Sequence, residues 1–323
     1  MITFICFSPT RLPAVLTKLS LFKNEKQEIY LLGDYHKENS EIVLPQYTII
    51  RQALNCFEQQ GTKCKVFIEV PHHFKVNNPT NNRSLLLSVS NFLHTTSFNH
   101  VSWADSEIRK HISGAMDIML PGCSIPDKDT DFFYEFQGKK YPFISLTFDH
   151  VQQEYFKWHQ KITAIKQLYP PKIQALFDEK LIEVVEVFQN LKKFLIRYNV
   201  SKDESILDAV MKLQEEYNEV SERLAYYFCR QHLMDLGSCL FNIMLFHQVL
   251  SAQSYDKIVV ITGSVHTDEL AELLYKIGYT YKGSIDTKDT PLLPEDLIAL
   301  NNSVNKLTYP LLSIVYSRLC LHK

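Results

Sequence analysis

The sequence predicts an α/β fold, with a mostly parallel central sheet flanked by helices and a large helical insertion in the second half. Three observations predict it. The first third alternates short apolar runs with helix-like stretches, strand signals vanish between Thr147 and Leu250, and a strand-then-helix pattern returns in "YDKIVVITGSVHTDELAELLYKIG". A β-α-β-α-β order favours parallel strands joined by right-handed crossovers.

Each element has its own warrant. "EIYLLGD" is a short apolar run ending near a glycine, the pattern of a buried strand. "QYTIIRQALNCFEQQG" sets Ile49, Ile50, Ala53, Leu54 and Phe57 on one helical face and closes at Gly61. "CKVFIEV" reads as the next strand, stopped by Pro71. A loop rich in Asn and Pro follows (Asn77–Asn82), then "RSLLLSVSNFLH" as a helix and "HVSWADS" as a third short strand. From Thr147 helical periodicity dominates, with Pro170 and Pro171 separating one long helix from the next. Met211, Tyr217, Tyr226, Phe228, Phe241 and Met244 fall at helical spacing there and read as core rather than as a cofactor box. After the late strand and its helix, "YTYKGSI" predicts one more strand. The whole reads as one elaborated domain over 1–323, with its core in 25–146 and 251–290, the helical insertion in 147–250, and a tail of no assigned role in 291–323.

The totals narrow the function classes. A chain of 323 residues with 46% hydrophobic and 22% charged content has the composition of an ordinary globular protein. With 34 basic against 36 acidic residues it carries no overall basic field, so a nucleic-acid partner is not expected. Seven cysteines without a C-x-x-C pair read as reduced, mostly buried thiols rather than as a disulfide framework or a zinc ribbon. "MITFICFSPTRLP" lacks the basic n-region and small-residue cleavage site of a secretory signal. The longest uncharged stretch, Leu236–Tyr255, carries Gly237, Asn242, His247 and Gln248, which suits a buried helix better than a membrane span. A cytoplasmic location is the resulting expectation; oligomeric state is not legible in the sequence.

Two segments carry the chemistry. "LLGDYH" and "VVITGSVH" both run from apolar residues into G-x-x-H, ending at His36 and His266. With 9 Gly and 12 His in the chain, chance predicts roughly a third of one such match. In an open α/β sheet the functional crevice lies beyond the carboxyl ends of parallel strands. Three predicted exits meet that condition: His36, Glu69 at the end of "KVFIE", and His266. Glu69 is expected between the two histidines. Two imidazoles and a carboxylate are a donor set for a divalent metal (Mn, Co or Zn), with open positions for water and substrate. A metal lowers the pKa of bound water and polarises a carbonyl, and a carboxylate can move the proton. Gly33 and Gly263 leave room for a turn or for close backbone approach. Asp268 and Glu269 are expected to open the helix after His266, where acidic residues suit its dipole.

The motifs "LLGDYH", "VFIEVP" and "VVITGSVHTDEL" in this order resemble the TIKI/TraB-like superfamily, which is related to the erythromycin esterase-like and ChaN-like proteins. The resemblance covers Glu28–Asp105 and Asp256–Gly278 and implies a hydrolase. TIKI-like members resemble metal-dependent proteases that use manganese or cobalt. The erythromycin esterase-like branch uses a similar His/Glu set for ester cleavage. Carried over, it makes His36, Glu69 and His266 the functional core, with Glu69 as third ligand or as general base, and a peptide or a small-molecule ester as substrate. A membrane anchor and a secretory signal of the kind found in animal TIKI proteins are not expected here.

Minor candidates complete the list. Asp34 can support an imidazole or shape the turn. Asp105 and Arg109 make an i,i+4 ion pair if Ser106–His111 is helical, or orient substrate at the same sheet edge. His72 and His73 point different ways as neighbours and read as loop residues; the remaining histidines, His111 and His150 among them, have no supporting spacing. "GDYH" is similar to the GD strand end of calcineurin-like phosphoesterases, but the earlier D-x-H and later G-N-H-D/E of those enzymes are missing. The competing class is a non-catalytic binding protein on a degenerate hydrolase fold, its long helices offering a partner surface.

Overall fold

A strand buried on both faces needs a near-continuous apolar run, because helices cover it above and below. "CKVFI" and "KIVVITG" are such runs. The computed structural model describes residues 14–36, 40–70, 85–118, 133–215 and 223–286. The elements in order are β1 (Ala14–Lys23), β2 (Glu28–His36), α1 (Ser40–Gln59), β3 (Cys64–Ile68), α2 (Leu85–Thr95), β4 (Val101–Asp105) and α3 (Lys110–Ile118). There follow β5 (Phe133–Phe136), β6 (Lys139–Pro142), α4 (Phe148–Lys166), α5 (Pro171–Arg197), α6 (Ile206–Glu215), α7 (Arg223–Ser251), β7 (Lys257–Gly263), α8 (Ser264–Lys276) and β8 (Thr280–Asp286). The predicted tail over 291–323 lies outside the described residues.

The described residues fall in two compact units, one of 14–36, 40–70, 85–107 and 245–286, the other of 108–118, 133–215 and 223–244. The second therefore begins at Ile108, well before Thr147, where the sequence texture changes.

The first unit holds a mixed, mostly parallel sheet of order β4-β3-β7-β2-β1-β8. The β4–β3, β3–β7 and β7–β2 pairs are parallel, and β1 joins β2 and β8 antiparallel. The sequence order does not anticipate two of these features. β7 enters between β3 and β2, and β1 forms a strand that the short alternation of Leu19 and Leu21 signals only weakly. α1 and α2 cover one face. Ile50, Leu54 and Phe57 from the predicted helical face pack with Leu86, Val89 and Leu93 on Leu32, Val66, Ile68, Val259 and Ile261. Each of these buried aliphatic side chains contributes about 1.5–3 kcal/mol. α1 starts at Ser40 and runs through Pro45, earlier than the sequence reading placed it. It ends as predicted at Gly61, whose φ of +68° lets the Thr62 N–H reach the Phe57 carbonyl at 2.9 Å.

At the other end of the sheet, Glu28 is buried and receives Lys23 at 2.9 Å, Tyr30 Oη at 2.9 Å and Lys257. Burial pushes its carboxyl up, but the two lysines and the tyrosine outweigh this and hold it below the usual range.

The second unit is the helical region. α4 begins at Thr147, which caps its first turn in exchange with His150, and α4 and α5 meet through Tyr155 stacked on Phe188 at 3.7 Å. The Pro170–Pro171 break separates these two helices, as predicted. β5 and β6 form a hairpin whose Gln137 and Gly138 both take positive φ, the two-residue turn that matches strand twist. Phe241 and Met244 are core residues as expected, and Met211 is half-buried. Phe228 is not core: it is 52% exposed. The side chains of Tyr217 and Tyr226 lie outside those described. Among the described residues one helical stretch, Phe228–Ser251, is long and apolar enough to cross a membrane, and 61% of its apolar window is buried within the fold. Cys56, Cys64 and Cys229 are free and buried; burial pushes the Cys64 thiol up to about 12.

Candidate functional site

The register of the parallel strands sets their carboxyl ends level. Gly33 pairs with Thr262 and Asp34 with Gly263, Ile68 pairs with Ile261, and Ile68 pairs with Asp105. Beyond the last pairs, the Glu69 N–H donates to the Ile261 carbonyl at 2.9 Å and the Ser106 N–H to the Ile68 carbonyl at 2.8 Å. Asp34, at the last parallel pair of β2, therefore lies level with Gly263, Glu69 and Asp105, at or just past the ends of their strands, along one edge where an α/β sheet places ligands. β7 occupies the middle of the group, so the late segment, rather than Glu69, lies between the other two.

Glu69 is level with Thr262, and alternation along a strand turns both side chains to the same face. The Thr262 hydroxyl donates to Glu69 Oε2, and the Gly263 N–H donates to the same oxygen at 3.1 Å. His266 also lies beside Gly263. A methyl group built on Gly263 would lie 3.5 Å from His266 Cδ2 and 3.9 Å from Glu69 Oε2. The imidazole and the carboxylate thus flank one glycine. His266 is 8% exposed, and Glu69 is half-buried.

The late motif is a strand end followed directly by a helix. Gly263 has φ −54° and ψ 144°, and α8 starts at Ser264, so His266 belongs to the first turn of the helix. Asp268 and Glu269 accordingly fall one turn further in than the sequence suggested, and no acidic residue occupies the first turn. Asp268 instead pairs with Lys18 of β1. Neither Gly33 nor Gly263 takes a positive φ. At Gly33 close approach is the reason for glycine: an added Cβ would meet Thr267 Oγ1 at 2.8 Å and Ser264 Cα at 3.0 Å. The first turn of α8, which carries His266, rests on that bare backbone.

The other predicted residues divide as follows. The backbone of His36 closes β2, two residues beyond the Asp34–Gly263 pair; its side chain lies outside those described, as do His72 and His73. Asp34 is 2% exposed, on the face of β2 opposite Gly33. Asp105 shapes the chain reversal after β4, accepting the Glu107 N–H at 2.8 Å and the Val70 N–H at 3.4 Å. The condition for a helical Asp105–Arg109 pair is not met, because 106–109 precede α3, which starts at Lys110. Arg109 belongs to the helical unit, 4% exposed, with its guanidinium 4.5 Å over the Phe241 ring.

Two groups escaped the sequence reading. Thr262 is one; its signal was a hydroxyl in an otherwise apolar strand, fully buried in the fold. The second lies in the helical unit. Glu154, 6% exposed, accepts the N–H groups of Lys110, His111 and Ile112 at 2.7, 2.7 and 2.8 Å and so caps α3 from a distance. His111 meets Tyr134 Oη at 2.9 Å and lies 5.1 Å from the His150 ring. Burial, followed by the charges of Lys110, His150 and Lys157, lowers the His111 pKa to about 4, and burial raises that of Tyr134. These contacts join elements distant in sequence, so no spacing rule exposes them.

Among the described residues no group of three or more His, Cys, Asp or Glu side chains is placed to hold a metal ion. The described part of the proposed set is one carboxylate and one imidazole across Gly263, the donor chemistry of an open divalent site. Comparison with family models, with curated proteins and with solved structures returns no match for this chain.

Proposed function

We propose that the protein is a hydrolase of the TIKI/TraB or erythromycin esterase-like type, cleaving an amide or ester bond at the carboxyl edge of its parallel strands. The observation that supports this reading is that Glu69 and His266, nearly two hundred residues apart in the sequence, both lie beside Gly263. A carboxylate and an imidazole in one crevice are a base and an acid. In the metal-free form Glu69 takes the proton of the attacking water, and a protonated His266 returns one to the leaving oxygen or nitrogen. Asp34, held in the sheet beside Gly263, supports the site from the opposite face of β2, and Asp105 is its proposed minor member. In the metal-dependent form a divalent ion, Mn, Co or Zn, would be held by His36 and His266, with Glu69 as third ligand or as general base, and would supply a water of lowered pKa and a polarised carbonyl. The substrate is a peptide or a small-molecule ester, and the compartment the cytoplasm.

The test uses the full chain against p-nitrophenyl esters and fluorogenic peptides, untreated, after EDTA, and with Mn, Co or Zn restored. The reading expects turnover that falls by about 10²–10⁴ in Glu69→Gln and His266→Ala, with the folded state retained. Loss on chelation and recovery with one ion assigns the metal. Turnover that survives both substitutions overturns the Glu69–His266 site, and no turnover by the wild-type chain under any of these conditions overturns the hydrolase assignment and leaves a binding protein built on the same edge.

A further inference from the structure

The hydroxyl of Thr262 needs an explanation that its strand does not supply. β7 is apolar from Ile258 to Ile261, buried throughout, and Thr262 itself is fully buried. Burying a hydroxyl costs free energy unless it is hydrogen-bonded, and Val, its near-isostere, would serve a buried strand at least as well. The strand carries a hydroxyl at the one position level with Glu69, and that hydroxyl donates to Glu69 Oε2. The Gly263 N–H, on the next residue, donates to the same oxygen.

Two donors on one oxygen do more than satisfy it. The terminal torsion of a glutamate is broad, so a carboxylate held at one point can still swing. Donors from a side chain and from the following backbone N–H approach one oxygen along different directions and fix the plane of the group. Charge-assisted hydrogen bonds of this kind are also stronger than neutral ones. The backbone donor is built into β7 and cannot be lost by substitution; the hydroxyl is the removable half of the clamp.

We propose that Thr262 is a positioning residue of the site: its hydroxyl, together with the Gly263 N–H, holds the Glu69 carboxylate in its working orientation towards the His266 side of Gly263. This rests on the hydrolase reading above. It assigns Thr262 no contact with substrate, and it makes the hydroxyl, rather than the size of the side chain, the property that matters.

The experiment compares wild type, Thr262→Val, Thr262→Ser and Glu69→Gln on the p-nitrophenyl ester or fluorogenic peptide that is turned over. Thr262→Val is expected to lower kcat by about ten- to a hundredfold with KM little changed, as a misplaced catalytic group does. Thr262→Ser, which keeps the hydroxyl, is expected to recover most of the loss. A Val variant as active as wild type, while Glu69→Gln is inactive, overturns the positioning role and leaves the hydrolase reading standing. If Glu69→Gln keeps full activity, the assignment of Glu69 to the site falls, and if no substrate is turned over the hydrolase reading falls; in either case crystal structures of the two Thr262 variants decide the clamp. Reorientation of the Glu69 carboxylate in the Val variant and not in the Ser variant supports it; an unmoved carboxylate in both overturns it.

Discussion

In β2 the segment Gly33–His36 stays extended to its last residue, paired antiparallel with β1 as far as Ala14, whereas in Gly263–His266 the strand stops at Gly263 and His266 enters the first turn of α8. The same spacing of glycine and histidine therefore has two structural outcomes. The difference comes from neighbours. β2 has an antiparallel partner that continues its ladder, while β7 has parallel partners whose pairing ends at its own last residues. The two glycines diverge as well. Gly33 is a floor for another element, and Gly263 lies beside both Glu69 and His266 and lends Glu69 its N–H. A repeated motif, in this chain, marks two halves of one edge rather than one local structure used twice.

Four measurements sharpen or break that contrast. The largest effect is expected at Gly33. A Val there would drive a branched side chain into Thr267 and Ser264, of which the Ser264 Cα is backbone and cannot rotate away. The expected loss is about 3 kcal/mol for Val and about 1–2 kcal/mol for Ala, read from urea or thermal unfolding. Equal stability of Gly33→Ala and wild type would mean that α8 does not rest on β2 as described.

Next comes Gly263→Ala. Its φ and ψ suit alanine and the nearest atoms are at ordinary contact distance, so stability should hold or rise by up to about 1 kcal/mol. Its new methyl sits between Glu69 and His266, so activity should fall while the melting temperature does not. Loss of both in parallel would erase the distinction between the two glycines.

A double-mutant cycle gives a smaller effect. Thr267 Oγ1 is the nearest atom to the added Cβ at Gly33, and Thr267→Ala in the Gly33→Ala background should return about 1 kcal/mol of the strain. Strict additivity would place the strain on the backbone of Ser264 alone.

The last measurement is a pH dependence, and it separates the paired motifs from the helical unit. His111 has an ordinary value of 6.5 and is lowered to about 4 in the fold, with burial as the first cause. The unfolded chain takes up that proton first as pH falls. Stability from this group is therefore complete above pH 6.5, declines between 6.5 and about 4, and is gone below. His111→Gln should flatten the unfolding free energy across this window, measured by urea denaturation at a series of pH values. An unchanged slope would assign acid sensitivity to groups other than His111.

Local pattern made much of this legible. The extent of β3, α2, β4 and β7, the apolar face of α1, its stop at Gly61 and the break at Pro170–Pro171 all follow from periodicity, chain punctuation and fixed proline geometry. Each depends on residues within a few positions of one another, which is the range over which sequence states its instructions. Glu69 and His266 were legible as candidates for the same reason, as polar residues closing apolar strand runs.

Tertiary structure decided the rest, because it turns on which strand lies beside which. Entry of β7 between β3 and β2 brings Thr262 and Gly263 to Glu69, a pairing across nearly two hundred residues that no window can contain. Packing of α8 on β2 explains Gly33, and the antiparallel addition of β1 keeps His36 in a strand. Likewise a glutamate in α4 caps α3, and this set the start of that helix at Lys110 and removed the helical Asp105–Arg109 pair. By itself the sequence determined which residues are apolar, extended, helical or ionisable. The fold decided which of them meet, because the free energy of a contact depends on distance in space and only loosely on separation along the chain.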